Sequence, residues 1–166
     1  MARPKAIRMR GKPVRNSQVE MTELVLPNDT NQLGNLLGGR LMQWMDIAAA
    51  IAAQRHSNRV CVTASVDSLH FFQPIRLGEV VTLRASVNRA FGTSMEIGVH
   101  VATEDLLTGN RRTANSAYLT FVALDDKRVP ISVSAAIPLT KEEKRRYRDA
   151  LRRRSQRLGL RSSRVK

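Results

Sequence analysis

Residues 27–56 read PNDTNQLGNLLGGRLMQWMDIAAAIAAQRH, and this stretch decides the fold. Its first part, Pro27 to Asn35, crowds Pro, Asn, Asp, Thr and Gly together and reads as a loop. After Gly38-Gly39 comes a run rich in Leu, Met, Ala and Ile, with the composition of a helix of about four turns or more. Leu41, Trp44, Met45, Ala48, Ile51 and Ala52 make one face, while Ala49, Ala50 and Ala53 fill much of the other. A helix apolar around its whole girth belongs inside a larger assembly. Asp46 breaks the pattern, because no Lys or Arg lies three or four positions away to pair with it. An isolated carboxylate in apolar surroundings is costly unless something bonds to it. Either the fold brings a partner from elsewhere, or the acid is kept for chemistry; the second is the sharper expectation.

Outward from this stretch, the chain reads as strands. Val19 to Leu26 is a first strand before the loop. Arg59 to Asp67 follows the helix, with Val60, Val62, Ala64 and Val66 facing one way and Cys61, Thr63 and Ser65 the other. Residues 68–78 form a connector in which Phe71, Phe72 and Ile75 pack. Glu79 to Ala90 sets Val81, Leu83, Ala85 and Val87 against polar neighbours, and Thr93 to Thr103 does the same with Met95, Ile97, Val99 and Val101. A hairpin loop ending in Gly109-Asn110 leads to the strand Arg111 to Leu124, whose Ala117, Leu119, Phe121 and Ala123 share a face. Thr140 and Glu143 make a capping box for a final helix, Lys141 to Leu158. The expected architecture is α+β: a curved antiparallel sheet wrapped around one long central helix, plus a basic C-terminal helix. One such unit leaves sheet edges and part of the helix open, and pairing two units edge to edge closes both, so at least a dimer is expected.

The net charge of +14 suggests a polyanion partner until it is divided along the chain. Residues 1–16 hold six Lys/Arg and no acid, and residues 141–166 hold twelve Lys/Arg against three acids. The centre, 17–140, is therefore nearly neutral. We read 1–16 as a loose basic tail, 17–140 as the folded domain and 141–166 as a basic helix and tail. Basic tails attract nucleic acid or an anionic surface but do not define what the centre does. No apolar run is long enough to span a membrane, and the first residues lack a secretory pattern. The lone Cys61 forms no internal disulfide, which points to the cytoplasm. Three scattered His residues and one Cys make no metal set.

Four motifs in this order carry a resemblance to a known family: DTNQLGNLLGGRLMQWMD from Asp29 to Asp46, VDSLHFFQPIRLGEVVTL from Val66 to Leu83, TSMEIGVHV from Thr93 to Val101 and AYLTFVALDD from Ala117 to Asp126. Together they resemble the hotdog-fold acyl-CoA thioesterases, the acyl-CoA hydrolase group. The resemblance implies hydrolysis of fatty acyl-CoA to free fatty acid and coenzyme A, at active sites on the dimer interface. It implies Asn31 and Asp46 as the catalytic pair, one from each subunit, with Gly38 and Gly39 placing the helix start against the thioester carbonyl. It also implies a trimer of dimers. No cofactor is expected, because coenzyme A is part of the substrate. Two departures stand out: Leu37 and Gly92 occupy positions where many relatives carry His or Phe and a basic residue.

The chemistry fits these residue types. Asp46 can take a proton from water or attack directly as a carboxylate. Free N–H groups at Gly38 and Gly39 sit at the positive end of the helix dipole, where an oxyanion develops well. Asn31 can orient water or carbonyl, or simply hold an Asx-turn in its loop. Thr93, Ser94, Arg111 and Arg112 are candidates for the pantetheine arm or the phosphates. The competing reading is a non-catalytic module that senses acyl-CoA or holds nucleic acid through its tails. A hotdog dehydratase is a third, but no His falls beside Asp46 in the helix.

Overall fold

The computed structural model describes residues 11–162 apart from 68, 70 and 72. Expectations for His70, for Phe72 and for residues 1–10 lie outside the described residues. The elements are β1 (Lys12–Pro13), β2 (Val19–Leu24), α1 (Gly38–Ser57), β3 (Val60–Val66), β4 (Val80–Phe91), β5 (Ser94–Glu104), β6 (Arg111–Leu124), β7 (Ala136–Ile137) and α2 (Lys141–Ser162). Five strands form one antiparallel sheet in the order β2-β4-β5-β6-β3, curled around α1.

Strict alternation in β4, β5 and β6 explains the curl. Val81, Leu83 and Val87, then Met95, Ile97, Val99 and Val101, then Ala117, Leu119, Phe121 and Ala123 all point inward and are buried against the helix. The helix meets them with Leu41, Trp44, Met45, Ala48, Ala49, Ala52, Ala53 and His56. Its run of alanines lets the axis sit close to the sheet. Asn58 ends the helix in the left-handed region at φ 54°, its N–H bonding the Gln54 carbonyl.

Three expectations need correction. First, Ile51 does not share the buried face of Leu41 and Trp44: it faces outward with Met42 and Ile47, each at least 37% exposed. Helix and sheet bury one face, and the opposite apolar face is left open. Second, Val60, Val62 and Val66 of β3 do not share one face. Cys61 and Thr63 pair with the inward Ala123 and Phe121, so Val60 and Val62 point away from α1. A bulge at Ala64 then shifts the register, and Val66 pairs with the inward Leu119. Third, residues 11–16 are not loose. Val14 and Ser17 are buried, β1 pairs with β7, and Lys12 bonds the His56 carbonyl at 2.8 Å.

The terminal helix opens with the expected capping box: Glu143 N–H donates to Thr140 Oγ1, and Thr140 N–H to the Glu143 carboxylate. It lies on the outer face of the sheet, held by arginines that point inward. Arg153 and Arg157 both bond Glu96, a carboxylate with 0% exposure, while Asn88 donates to it as well. Arg157 also reaches Asp67 at 2.9 Å. Arg153 stacks over the Tyr118 ring and Arg89 over Tyr147.

Candidate active site

The loop before α1 is built to present one side chain. Asp29 accepts the Leu26 N–H, its carbonyl takes the Leu37 N–H, and its carboxylate pairs with Arg40 Nε at 2.9 Å. These bonds tie the loop to the helix start. Within the loop, Asn31 Oδ1 accepts the N–H groups of Leu33 (2.9 Å) and Asn35 (3.2 Å). The Asx-turn is therefore present. It fixes the Asn31 side chain with its oxygen inside the loop and its N–H2 without a partner among the described residues.

Leu37 begins α1 with no side-chain cap, so the first helical N–H groups are not taken by a capping side chain. Nothing lies within 4 Å of where a Cβ on Gly39 would sit, whereas one on Gly38 would touch the Phe71 ring at 3.4 Å. Asn31 and Gly38 line one cleft of about 310 Å³, with Leu36, Leu41, Gln73 and Asn115 among its other walls. Asn115 comes to that wall through a second bulge: Val101 pairs with Asn115 and Ala102 with Thr113, leaving Ala114 unpaired between them.

Asp46 is elsewhere. It lies eight residues beyond Gly38, roughly 12 Å along the helix axis, and is not part of that cleft. It is half-buried rather than enclosed. The fold does bring it a partner, which is not an arginine: Thr63 Oγ1 on β3 donates to Asp46 Oδ1 at 2.7 Å. Thr63 engages one carboxylate oxygen, and the other has no bond to a described residue. Thr63 was not singled out in the sequence. The available signal was its place on the inward face of the strand that follows the helix, opposite an acid lacking a local donor. The acid and Thr63 sit beside the open face of α1, on the unpaired edge of the sheet.

The expected contacts to coenzyme A do not assemble in one place. Ser94 starts β5 and accepts a bond from Arg154, with Thr93 before it. Arg111 faces Glu104 at the other end of that strand, about 30 Å away. Arg112 is engaged by Gln73 Oε1, the Pro74 carbonyl and the Glu79 carboxylate, so it is not a free phosphate ligand. His56 lies in the last turn of α1. It is fully buried, with Nε2 2.8 Å from the Ser134 carbonyl oxygen. Among the described residues no group of three His, Cys, Asp or Glu could hold a metal ion.

Comparison with known proteins adds to this geometry. The thioesterase superfamily model matches residues 33–109. The chain is 42% identical over 149 residues to mouse acyl-coenzyme A thioesterase 11, spanning 89% of this chain but only 25% of that protein. It is 41% identical to an uncharacterized acyl-CoA thioester hydrolase of Bacillus subtilis, covering 86% of this chain and 83% of the relative. Among solved structures, a hexameric acyl-CoA thioesterase superposes with a TM-score of 0.88 at 39% identity, over 92% of this chain and 97% of the other. An acyl-CoA hydrolase of Staphylococcus aureus, solved with butyryl coenzyme A and coenzyme A, gives 0.86 at 36% identity, over 92% and 93%. That hydrolase was also solved as three variants, in which an Asn, an Asp and a Thr are each replaced by Ala. The three positions have the same spacing as Asn31, Asp46 and Thr63.

Proposed function

The chain belongs to the acyl-CoA hydrolases of the thioesterase superfamily, and from that premise we propose that it hydrolyses fatty acyl-CoA to a free fatty acid and coenzyme A. The observation that carries the mechanism is the division of the site. Asn31 and the open start of α1 share one cleft, while Asp46 and Thr63 stand together on the free edge of the sheet. The two halves meet when a second copy pairs across that edge, so each active site takes Asn31 and Gly39 from one chain and Asp46 from the other.

In this site the Gly39 N–H, at the positive end of the helix, receives the thioester carbonyl oxygen. Asn31 orients the carbonyl or the attacking water through its unpaired N–H2. Asp46, held by Thr63 through one oxygen, takes the water proton as hydroxide adds to the carbonyl carbon. The tetrahedral oxyanion then collapses, the carbon–sulfur bond breaks, and coenzyme A leaves as the thiol with the proton. Coenzyme A enters as part of the substrate, and no cofactor is required. We place the enzyme in the cytoplasm, in keeping with its lone Cys61, and assembled as a trimer of dimers like its hexameric relative. No helix among the described residues is long and apolar enough to cross a membrane.

The test is release of free thiol from short, medium and long acyl-CoAs. Asp46→Ala is expected to lower turnover by about 10²-fold or more with an unchanged circular-dichroism spectrum. Hydrolysis near the wild-type rate by that variant overturns the proposal.

A further inference from the structure

The cleft at the start of α1 has an unusual lining. Among the described residues no ionisable side chain borders it, yet Asn31, Asn35, Gln73 and Asn115 all do. Several of these carboxamides have their oxygens engaged by the protein. Asn31 Oδ1 holds two loop N–H groups, and Asn115 Oδ1 accepts the Ser116 N–H at 2.7 Å. Gln73 Oε1 accepts from Arg112 Nη1 at 3.0 Å. A guanidinium can only donate, so this bond fixes which end of the Gln73 amide is oxygen. The Gln73 N–H2 is left without a partner among the described residues.

Arg112 is itself locked. Its Nη2 bonds the Pro74 carbonyl at 2.7 Å and Glu79 at 3.1 Å, and Glu79 in turn accepts the Arg76 N–H. The segment from Gln73 to Glu79 is thus a braced lip. Gln73 and Pro74 border both the cleft and a second hollow that runs toward Arg76 and Asn110. Whatever leaves the cleft for solvent on that side passes the Gln73 amide. A donor at that point selects for an acceptor such as a carbonyl oxygen, and it offers nothing to a cation.

We propose that Gln73, oriented by Arg112, is a further substrate-contacting residue that sets specificity for the thiol half of the ester, its amide N–H2 donating to an amide carbonyl oxygen in the thiol arm. This rests on the hydrolase reading above, in which the thioester carbonyl sits at the helix start. The arm of coenzyme A carries its first amide a short ethylene spacer beyond sulfur, on the way out of the cleft. Arg112 acts as a positioning residue and does not touch the substrate.

Gln73→Met keeps the length of the side chain and removes the donor. With butyryl-CoA it is expected to raise KM about fivefold, the worth of one neutral hydrogen bond, with kcat little changed. With butyryl-mercaptoethanol, a thioester lacking any amide, wild type and variant are expected to have equal kcat/KM. Arg112→Lys should reproduce the same pattern more weakly. Calorimetric titration with free coenzyme A, which needs no turnover, should show weaker binding to the Gln73→Met variant. Equal losses on both thioesters, or unchanged KM and coenzyme A affinity, overturn the assignment. If the wild-type protein cleaves neither thioester but Gln73→Met still weakens coenzyme A binding, the hydrolase reading falls and the role of Gln73 stands.

Discussion

Thr63 gives Asp46 its orientation. Its hydroxyl donates to one carboxylate oxygen at 2.7 Å, and in the proposed mechanism the other oxygen takes the water proton. Thr63→Val keeps the shape and removes that bond. Hydrogen bonds to charged groups contribute about 1.5–3 kcal/mol, so kcat should fall roughly ten- to a hundredfold, with less effect on KM, in steady-state thiol-release assays. His56 gives a prediction of a different kind. Burial pushes its pKa below the ordinary 6.5, against the raising effect of the Ser134 carbonyl, and Lys12 adds to the lowering. The folded chain therefore binds a proton at His56 less readily than the unfolded chain does. Its contribution to stability is full above pH 6.5 and is lost as pH falls below 6.5 toward the folded value. Urea midpoints should drop between about pH 7.5 and about pH 5. The His56→Gln variant, whose amide can still donate to Ser134, should show a shallower drop. Asp46 stood out in the sequence because an unpaired helix acid is a local pattern, whereas the expectations for Asn31, Gly38 and Gly39 came from the family resemblance. The roles of Thr63 and Arg112 were not legible there, since they depend on partners 17 and 33–39 residues away.

Among the elements, the alternating strands β4, β5 and β6 were readable almost residue by residue, because period-two burial leaves a direct trace. β3 was not. A single extra residue at Ala64 reverses the facing of everything after it, so Val60 and Val62 point away from α1 while Val66 sits opposite the inward Leu119. The terminal helix was legible as a helix from Thr140 and Glu143, but its docking was hidden. Glu96 occupies an outward position in β5 that resembles a solvent-facing site, and its partners arrive from residues 153 and 157. Arg153, Arg154 and Arg157 are consequently structural, turned toward the sheet, while Arg145, Arg146 and Arg152 pair within the helix. Removing Glu96 would strand Arg153 and leave Arg157 with Asp67 alone. Breaking a buried ion pair from one side costs about 3 kcal/mol or more, so Glu96→Ala should lower the urea midpoint accordingly. Limited trypsin digestion should then cut within α2 at concentrations that spare the wild type. An unchanged midpoint would mean that apolar packing around Ala150 suffices to hold the helix.

At the scale of the whole molecule, one chain is unfinished in three ways that share one remedy. The outward face of α1 shows Met42, Ile47 and Ile51 to solvent, β3 lies at the sheet edge, and Asp46 stands apart from the cleft that holds Asn31. In the proposed assembly a second copy set against that edge covers the apolar face, pairs the strand and brings Asp46 of one chain to the Asn31 cleft of the other. The sequence announced this need through a helix too apolar for a single sheet to cover, although it could not say which face would stay open. The direct test is complementation. Asp46→Ala and Asn31→Ala chains, each nearly inactive alone, are unfolded together and refolded at equal concentration. Random pairing makes half of the dimers mixed, each with one intact site, so about a quarter of wild-type hydrolysis should return. A mixture that exchanges subunits yet stays as inactive as its components would contradict a site shared between two chains.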